Sequence, residues 1–242
     1  MTQERLAGGN MGPVWRRGER VVRPAGDWTP AVHRLLDHLE AAGVAGVPRA
    51  RGRLADGREV LTYVEGIVPS YPMPAWVWGE PALVSSAQLL RVIHDATRGF
   101  TDNGGWRAPA HQPVEVICHN DFAPYNLAFL RGRAVGVIDF DFASPGPRLW
   151  DLAYLAYRIV PLTPAEVGDG FSPAQRSRRL DALLQAYGMS CPRREFHAVL
   201  AARLAELADF SEAMAEVTGN DELRRHAELY RRDASVPSAG VD

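Results

Sequence analysis

Between His119 and Asp139 a short polar loop is followed by two apolar segments in a fixed order. The loop reads His119-Asn120-Asp121-Phe122-Ala123-Pro124-Tyr125-Asn126. Leu127 to Leu130 and Ala134 to Ile138 then read as short strands joined by Arg131-Gly132-Arg133, and Asp139-Phe140 follows. The spacing H-x-D-x-x-x-x-N puts a carboxylate, Asp121, and a carboxamide, Asn126, within one short loop, where the first can stand beside a hydroxyl and the second offer an oxygen to a metal ion. Phosphoryl transfer is organised mostly by positioning and charge neutralisation, so those two groups within one loop suit it. Mg2+ prefers hard oxygen donors and commonly takes one or two carboxylates plus phosphates, which makes Asp139, at the end of an apolar strand, the second expected ligand.

The bulk of the sequence excludes several alternatives. At 242 residues and 46% hydrophobic content the chain has ample material for one large domain or two lobes. A net charge of -2 carries no footprint of a nucleic-acid or anionic-membrane binder. Cys118 and Cys191 are far apart and lie in no C-x-x-C or Cys/His pattern, so neither a disulfide framework nor a zinc site is expected. No segment approaches the ~18 apolar residues of a membrane span, and the amino terminus lacks a basic segment followed by an apolar run. A cytoplasmic protein, monomeric or homodimeric, is expected.

Along the chain, strand and turn signals begin at Gly8-Gly9-Asn10-Met11-Gly12-Pro13. Thr29-Pro30 reads as the N-cap and first residue of a helix that carries Val32, Leu35, Leu36 and Leu39 on one face until Gly43. Pro48 to Arg53 and Glu59 to Val64 flank the turn Ala55-Asp56-Gly57 and form a predicted hairpin. Pro69, Pro72 and Pro74 mark a connector, and Pro81 opens a helix with Leu83, Ala87, Leu90, Ile93 and His94 on one face. From Trp150 onward the pattern is helical, with breaks at 161–171, 188–192 and 219–220. The expected division is an amino-terminal lobe over 1–66, a carboxy-terminal lobe over 67–230, and a flexible tail over 231–242.

With Asp151-Leu152-Ala153 added, the sequence resembles the aminoglycoside phosphotransferase family, which shows H-G-D-x-x-x-x-N, an apolar strand ending in I-D, and D-L-A opening a helix. Leu89-Leu90-Arg91-Val92-Ile93-His94 also resembles the L-x-x-L-H helix that precedes that loop. The resemblance implies an α+β, bilobal protein-kinase-like fold: a small β-rich lobe with one helix, and a larger mainly helical lobe. It implies transfer of the γ-phosphoryl of ATP or GTP, with Mg2+, to a hydroxyl of a small molecule, with Asp121 catalytic, Asn126 and Asp139 on the metal, and Asp151 bracing the loop. It further implies a purine against the backbone of Tyr63, Val64 and Glu65, and a glycine turn at Gly9 and Gly12 over the phosphates.

Three departures stand out. No Lys lies where the family has a phosphate-binding strand Lys, and Arg23 is the expected substitute, against the plainer reading of a solvated strand-edge Arg beside Arg16, Arg17 and Arg20. The partner Glu on the first helix falls near Val32 or His33, so the internal ion pair is expected to be absent. Asn120 stands where the family usually has Gly. The absent Lys keeps open the alternative of a nucleotide-binding pseudoenzyme, whereas the short interval from Asp139 to Asp151 disfavours a protein-directed kinase. For the acceptor, Glu206, Asp209, Glu212 and Glu216 offer an acidic face suited to a polycation, with a solvated outer face as the plainer reading. Trp76, Trp78 and Trp106 offer instead a flat apolar pocket, or simply core. A role in antibiotic resistance is carried by the resemblance alone.

Overall fold

The computed structural model describes residues 3–6, 12–101, 103–162 and 170–235. An antiparallel sheet opens the chain: β1 (Gln3–Leu6), β2 (Val14–Arg17), β3 (Arg20–Arg23), β4 (Ala50–Arg53) and β5 (Glu59–Thr62), in the order β1-β2-β3-β5-β4. β1 has no counterpart in the sequence reading, because Gln3-Glu4-Arg5-Leu6 lacks the apolar alternation that marks a half-buried strand. Helix α1 (Thr29–Ala41) runs between β3 and β4 and buries Val32, Leu35, Leu36 and Leu39, as their spacing predicts. Its start differs by one residue. Trp28 occupies the N-cap position, and Thr29 Oγ1 accepts from Gly26 N at 2.9 Å, closing the preceding turn instead of capping the helix.

The sheet is tied to the next part of the chain at two points. β7 (Leu127–Leu130) and β8 (Arg133–Val137) form a hairpin, and Val137 N donates to Gly46 O at 2.8 Å. A Cβ on Gly46 would meet Val135 O at 2.1 Å, and one on Gly136 would meet Gly46 O at 2.6 Å, so both positions require glycine for the segments to touch. Ile67 and Phe129 exchange two backbone bonds of 2.9 Å, which anchors the connector to β7.

The remainder is mainly helical. α2 (Glu80–Ala96) buries the predicted face of Leu83, Ala87, Leu90, Ile93 and His94. α3 (Arg148–Ile159) packs on α2 and on α5 (Arg193–Thr218), α4 (Pro173–Tyr187) packs on α2, and α6 (Asp221–Ser235) packs along α5. The tail expected from residue 231 is corrected: residues 231–235 continue α6, Tyr230 and Asp233 are buried, and Tyr157 Oη donates to Asp233 Oδ2 at 2.8 Å. The signal was hidden by Arg231 and Arg232, which flank the buried face; residues 236–242 lie outside the described set. Among the described residues no helix is long and apolar enough to cross a membrane.

Candidate active site

The site begins where β6 (Val116–Cys118) pairs with β9 (Ser144–Gly146), setting the 119–126 loop beside the segment that follows Asp139. Asp151 holds the loop from below. It is 0% exposed, accepts from His119 N at 2.6 Å and Asn120 N at 2.8 Å, and faces His94 Nε2 at 3.1 Å. His94 Nδ1 lies 2.7 Å from Tyr187 Oη, so a brace runs from α4 through α2 to the loop backbone. Asp151 caps no helix: Pro147 occupies that position in α3. Burial alone would push its carboxyl up, but the bonds from His94 and the His119 amide hold it below the ordinary carboxylate range.

The structure explains the Asn at position 120. Its φ is 63°, in the left-handed region that favours Gly and next Asn. Unlike Gly, it also ties the loop down, donating from Nδ2 to Phe142 O and Ser144 Oγ, both at 2.7 Å. Arg203 of α5 donates to Asn120 O.

Asp121, Asn126 and Asp139 converge. Asn126 Nδ2 donates to Asp121 Oδ2 at 2.8 Å and to Asp121 O at 2.9 Å, which leaves the carboxamide oxygen turned away from Asp121. Ile138 N donates to Asn126 O at 2.9 Å, and His119 Nε2 lies 3.0 Å from Ile138 O, so the residue before Asp139 is bonded to both ends of the loop. Asp139 itself has φ 66°, a left-handed conformation uncommon outside Gly and a frequent mark of a functional position. Burial pushes the Asp121 carboxyl above its ordinary range, opposed by the Tyr125 hydroxyl, which donates to Oδ1 at 2.6 Å.

Asp141 was missed by the sequence reading, although the alternation Asp139-Phe140-Asp141 points both carboxylates out of one short turn. Its side chain is largely buried, and burial raises its pKa while Arg23 pulls it back. The Asn126 carboxamide and the carboxylates of Asp139 and Asp141, which share Arg23, offer hard oxygen donors, the chemistry that suits Mg2+ and not a soft metal.

Arg23 is no solvated strand-edge residue. Its side chain is 14% exposed and donates from Nε to Glu59 Oε1 at 2.7 Å, from Nη1 to Asp139 Oδ1 at 2.9 Å, and from Nη2 to Asp141. Burial pulls its pKa down, and the charges of Asp141, Glu59 and Asp139 more than reverse that, so the guanidinium stays charged. The expectation that the internal ion pair is absent is thereby corrected. The carboxylate comes from Glu59, directly opposite Arg23 on the β3/β5 ladder, and α1 contributes His33, whose Nε2 lies 2.8 Å from Glu59 Oε2. A cross-strand neighbour has replaced the helix residue.

The other expected nucleotide contacts are spread around this centre. A Cβ on Gly12, at φ 127°, would meet Pro24 Cγ at 3.0 Å, so that glycine abuts the residue after Arg23; Gly9 lies outside the described residues. The Arg16 guanidinium sits 3.5 Å from the Tyr63 ring centroid and donates to Glu65 Oε1 at 2.9 Å, which occupies both side chains. A Cβ on Gly136 would meet Val64 Cγ1 at 2.5 Å, so the Val64 side chain packs against β8. Among the described residues the backbone groups of Val64 and Glu65 enter no backbone hydrogen bond. On α5, Glu206 bonds to His111 at 2.7 Å, while Asp209 and Glu212 face Arg231 of α6.

A sequence model of the phosphotransferase enzyme family matches residues 105–200. The trifolitoxin immunity protein of Rhizobium leguminosarum bv. trifolii is 34% identical over 196 residues, covering 76% of this chain and 74% of that protein. The chain belongs to the aminoglycoside phosphotransferase family. Solved members of the wider protein-kinase-like fold superpose on it. An ethanolamine kinase from Plasmodium vivax gives a TM-score of 0.69 at 11% identity, covering 98% of this chain and 82% of that one. The aminoglycoside phosphotransferase APH(3'')-Id from Streptomyces rimosus, in complex with ADP and streptomycin, gives 0.56 at 16% identity, covering 82% and 90%. The segment matched to the phosphotransferase family holds Asp121, Asn126, Asp139, Asp141 and Asp151, whereas Arg23, His33 and Glu59 lie outside it.

Proposed function

We propose that this chain transfers the γ-phosphoryl group of ATP or GTP to a hydroxyl of a small molecule. The observation that carries the reading is the junction of Asp121 with Asn126 at 2.8 Å, beside the Ile138–Asn126 backbone bond that brings Asp139 alongside. A base and two hard oxygen donors meet there. Asn126 and Asp139, with Asp141 adjacent, would hold Mg2+, which would supply positive charge against the phosphate oxygens during transfer.

Asp121 accepts the proton of the acceptor hydroxyl. The acceptor oxygen forms the new O–P bond as the bond from the γ-phosphorus to the β-phosphate oxygen breaks, and that electron pair leaves on the nucleoside diphosphate. Arg23, braced by Glu59 and His33, donates to the phosphate oxygens. The segment at Gly12 covers them, and the backbone of Tyr63, Val64 and Glu65 receives the purine. The ADP bound by the Streptomyces rimosus protein supports nucleotide use by this fold.

The acceptor is proposed to be a hydroxylated toxin or antibiotic, in line with the immunity role in the name of the Rhizobium relative. The α5 acidic face gives a polycationic acceptor little support, since Arg231 already meets Asp209 and Glu212. Calorimetric titration of ATP with and without Mg2+ tests the metal assignment. Asp139→Ala should weaken binding in Mg2+ by at least about tenfold, with no such weakening in EDTA, where loss of the Arg23 contact frees the guanidinium for phosphate; equal affinity in Mg2+ removes Asp139 from the metal site.

A further inference from the structure

Arg158 of α3 projects its guanidinium into a ring of four phenols, with the centroids of Tyr157, Tyr154, Tyr230 and Tyr125 at 4.9, 5.3, 5.5 and 5.8 Å. It donates from Nε and Nη2 to Tyr154 Oη, both at 3.1 Å, and from Nη2 to Tyr230 Oη at 2.6 Å. Among the described residues no carboxylate forms an ion pair with it. A buried cation is normally paired, so the location of its countercharge is a physical question.

Following the hydrogens answers it. An ionised carboxylate only accepts, so the single proton of Tyr125 Oη goes to Asp121 Oδ1 at 2.6 Å. In the 2.7 Å contact between Tyr125 Oη and Tyr154 Oη, Tyr154 must therefore be the donor. Its own oxygen then accepts from Arg158, which has only donors. One direction satisfies every member: Arg158 to Tyr154 to Tyr125 to Asp121. Such a run of aligned bonds polarises each link and couples charges that do not touch.

We propose that Arg158, acting through Tyr154 and Tyr125, is a positioning residue that fixes the orientation of the Asp121 carboxylate and supplies its countercharge. With Oδ1 held by Tyr125 and Oδ2 by Asn126, the carboxylate cannot rotate, and its remaining lone pairs keep a fixed direction toward the acceptor hydroxyl. The proposal rests on the phosphotransferase reading of Asp121.

The test uses the full chain with Mg2+–ATP and water as acceptor, reading kcat, KM for ATP and melting temperature. Tyr125→Phe deletes one oxygen and should lower kcat about 10- to 100-fold, the range of one bond to a charged group, with KM for ATP nearly unchanged. Tyr154→Phe and Arg158→Met should act in the same direction, and Arg158→Lys should recover part of the loss. The double variant Tyr125→Phe/Arg158→Met should be little worse than Tyr125→Phe alone, because the chain is already cut. Tyr157→Phe is the control, since that hydroxyl bonds to Asp233 and lies outside the chain. An unchanged kcat in Tyr125→Phe, or losses that multiply in the double variant and track melting temperature, overturns the proposal. Turnover abolished by Asp121→Asn but untouched by Tyr125→Phe would overturn the relay and leave the phosphotransferase reading standing; a wild-type chain that neither turns over nor binds Mg2+–ATP overturns both.

Discussion

Replacing Asp151 with Asn lowers the melting temperature by about 6–20 °C. The carboxylate is wholly buried and accepts two backbone amides and faces His94, so a neutral carboxamide turns an NH2 toward groups that themselves donate. Breaking a buried charged network at one member costs about 3–5 kcal/mol, a large part of the 5–15 typical of a folded domain. The pH dependence follows from the direction of the shift. Its pKa is depressed in the folded state, so the stabilisation is complete above the unfolded carboxylate value of about 3.9 and is lost as pH falls through the folded one. Thermal unfolding of wild type and Asp151→Asn from pH 7 downward should therefore show a constant gap to about pH 5 that narrows in acid. A gap of under a degree at neutral pH contradicts the bracing role.

Glu59→Gln raises KM for ATP by at least about tenfold, close to the effect of Arg23→Met. Glu59 fixes the guanidinium from below through a 2.7 Å bond and is itself fixed by His33, so the neutral substitute frees Arg23 to settle wholly on Asp139 and Asp141. The phosphates then compete with two carboxylates for a guanidinium no longer anchored from β5. His33→Ala should give a smaller effect in the same direction, because it removes the support of Glu59 and leaves the ion pair. Arg23→Lys should not restore the site, since an ammonium cannot reach three carboxylates in a planar fork. Steady-state kinetics against ATP decide the matter: an unchanged KM in both Glu59→Gln and Arg23→Met places phosphate recognition elsewhere.

What could be read in advance follows from sequence distance. Asp121, Asn126 and Asp139 lie within one short stretch, and the β7–β8 hairpin between them leaves little freedom in where they meet. The faces of α1 and α2 were legible because a 3.6-residue period needs no partner to be seen. Glu59 was not, because its opposition to Arg23 is set by strand register across 36 residues, which neither local segment encodes. The four tyrosines around Arg158 span residues 125–230 and meet only when α3 and α6 pack. His94 was legible as the end of the L-x-x-L-H resemblance, but its link to Asp151 was not, because that depends on which helix face meets the loop.

The most direct test of the account is Mg2+-dependent transfer of labelled γ-phosphate from ATP and GTP across aminoglycosides, other hydroxylated antibiotics, nucleosides and amino alcohols, with Asp121→Asn beside the wild type. The account predicts a phosphorylated acceptor in the wild type and a loss of at least about a hundredfold in the variant, read at a temperature where melting curves show the variant folded. Turnover undiminished in Asp121→Asn, or a wild-type chain that neither transfers phosphate nor binds Mg2+–nucleotide, would contradict it.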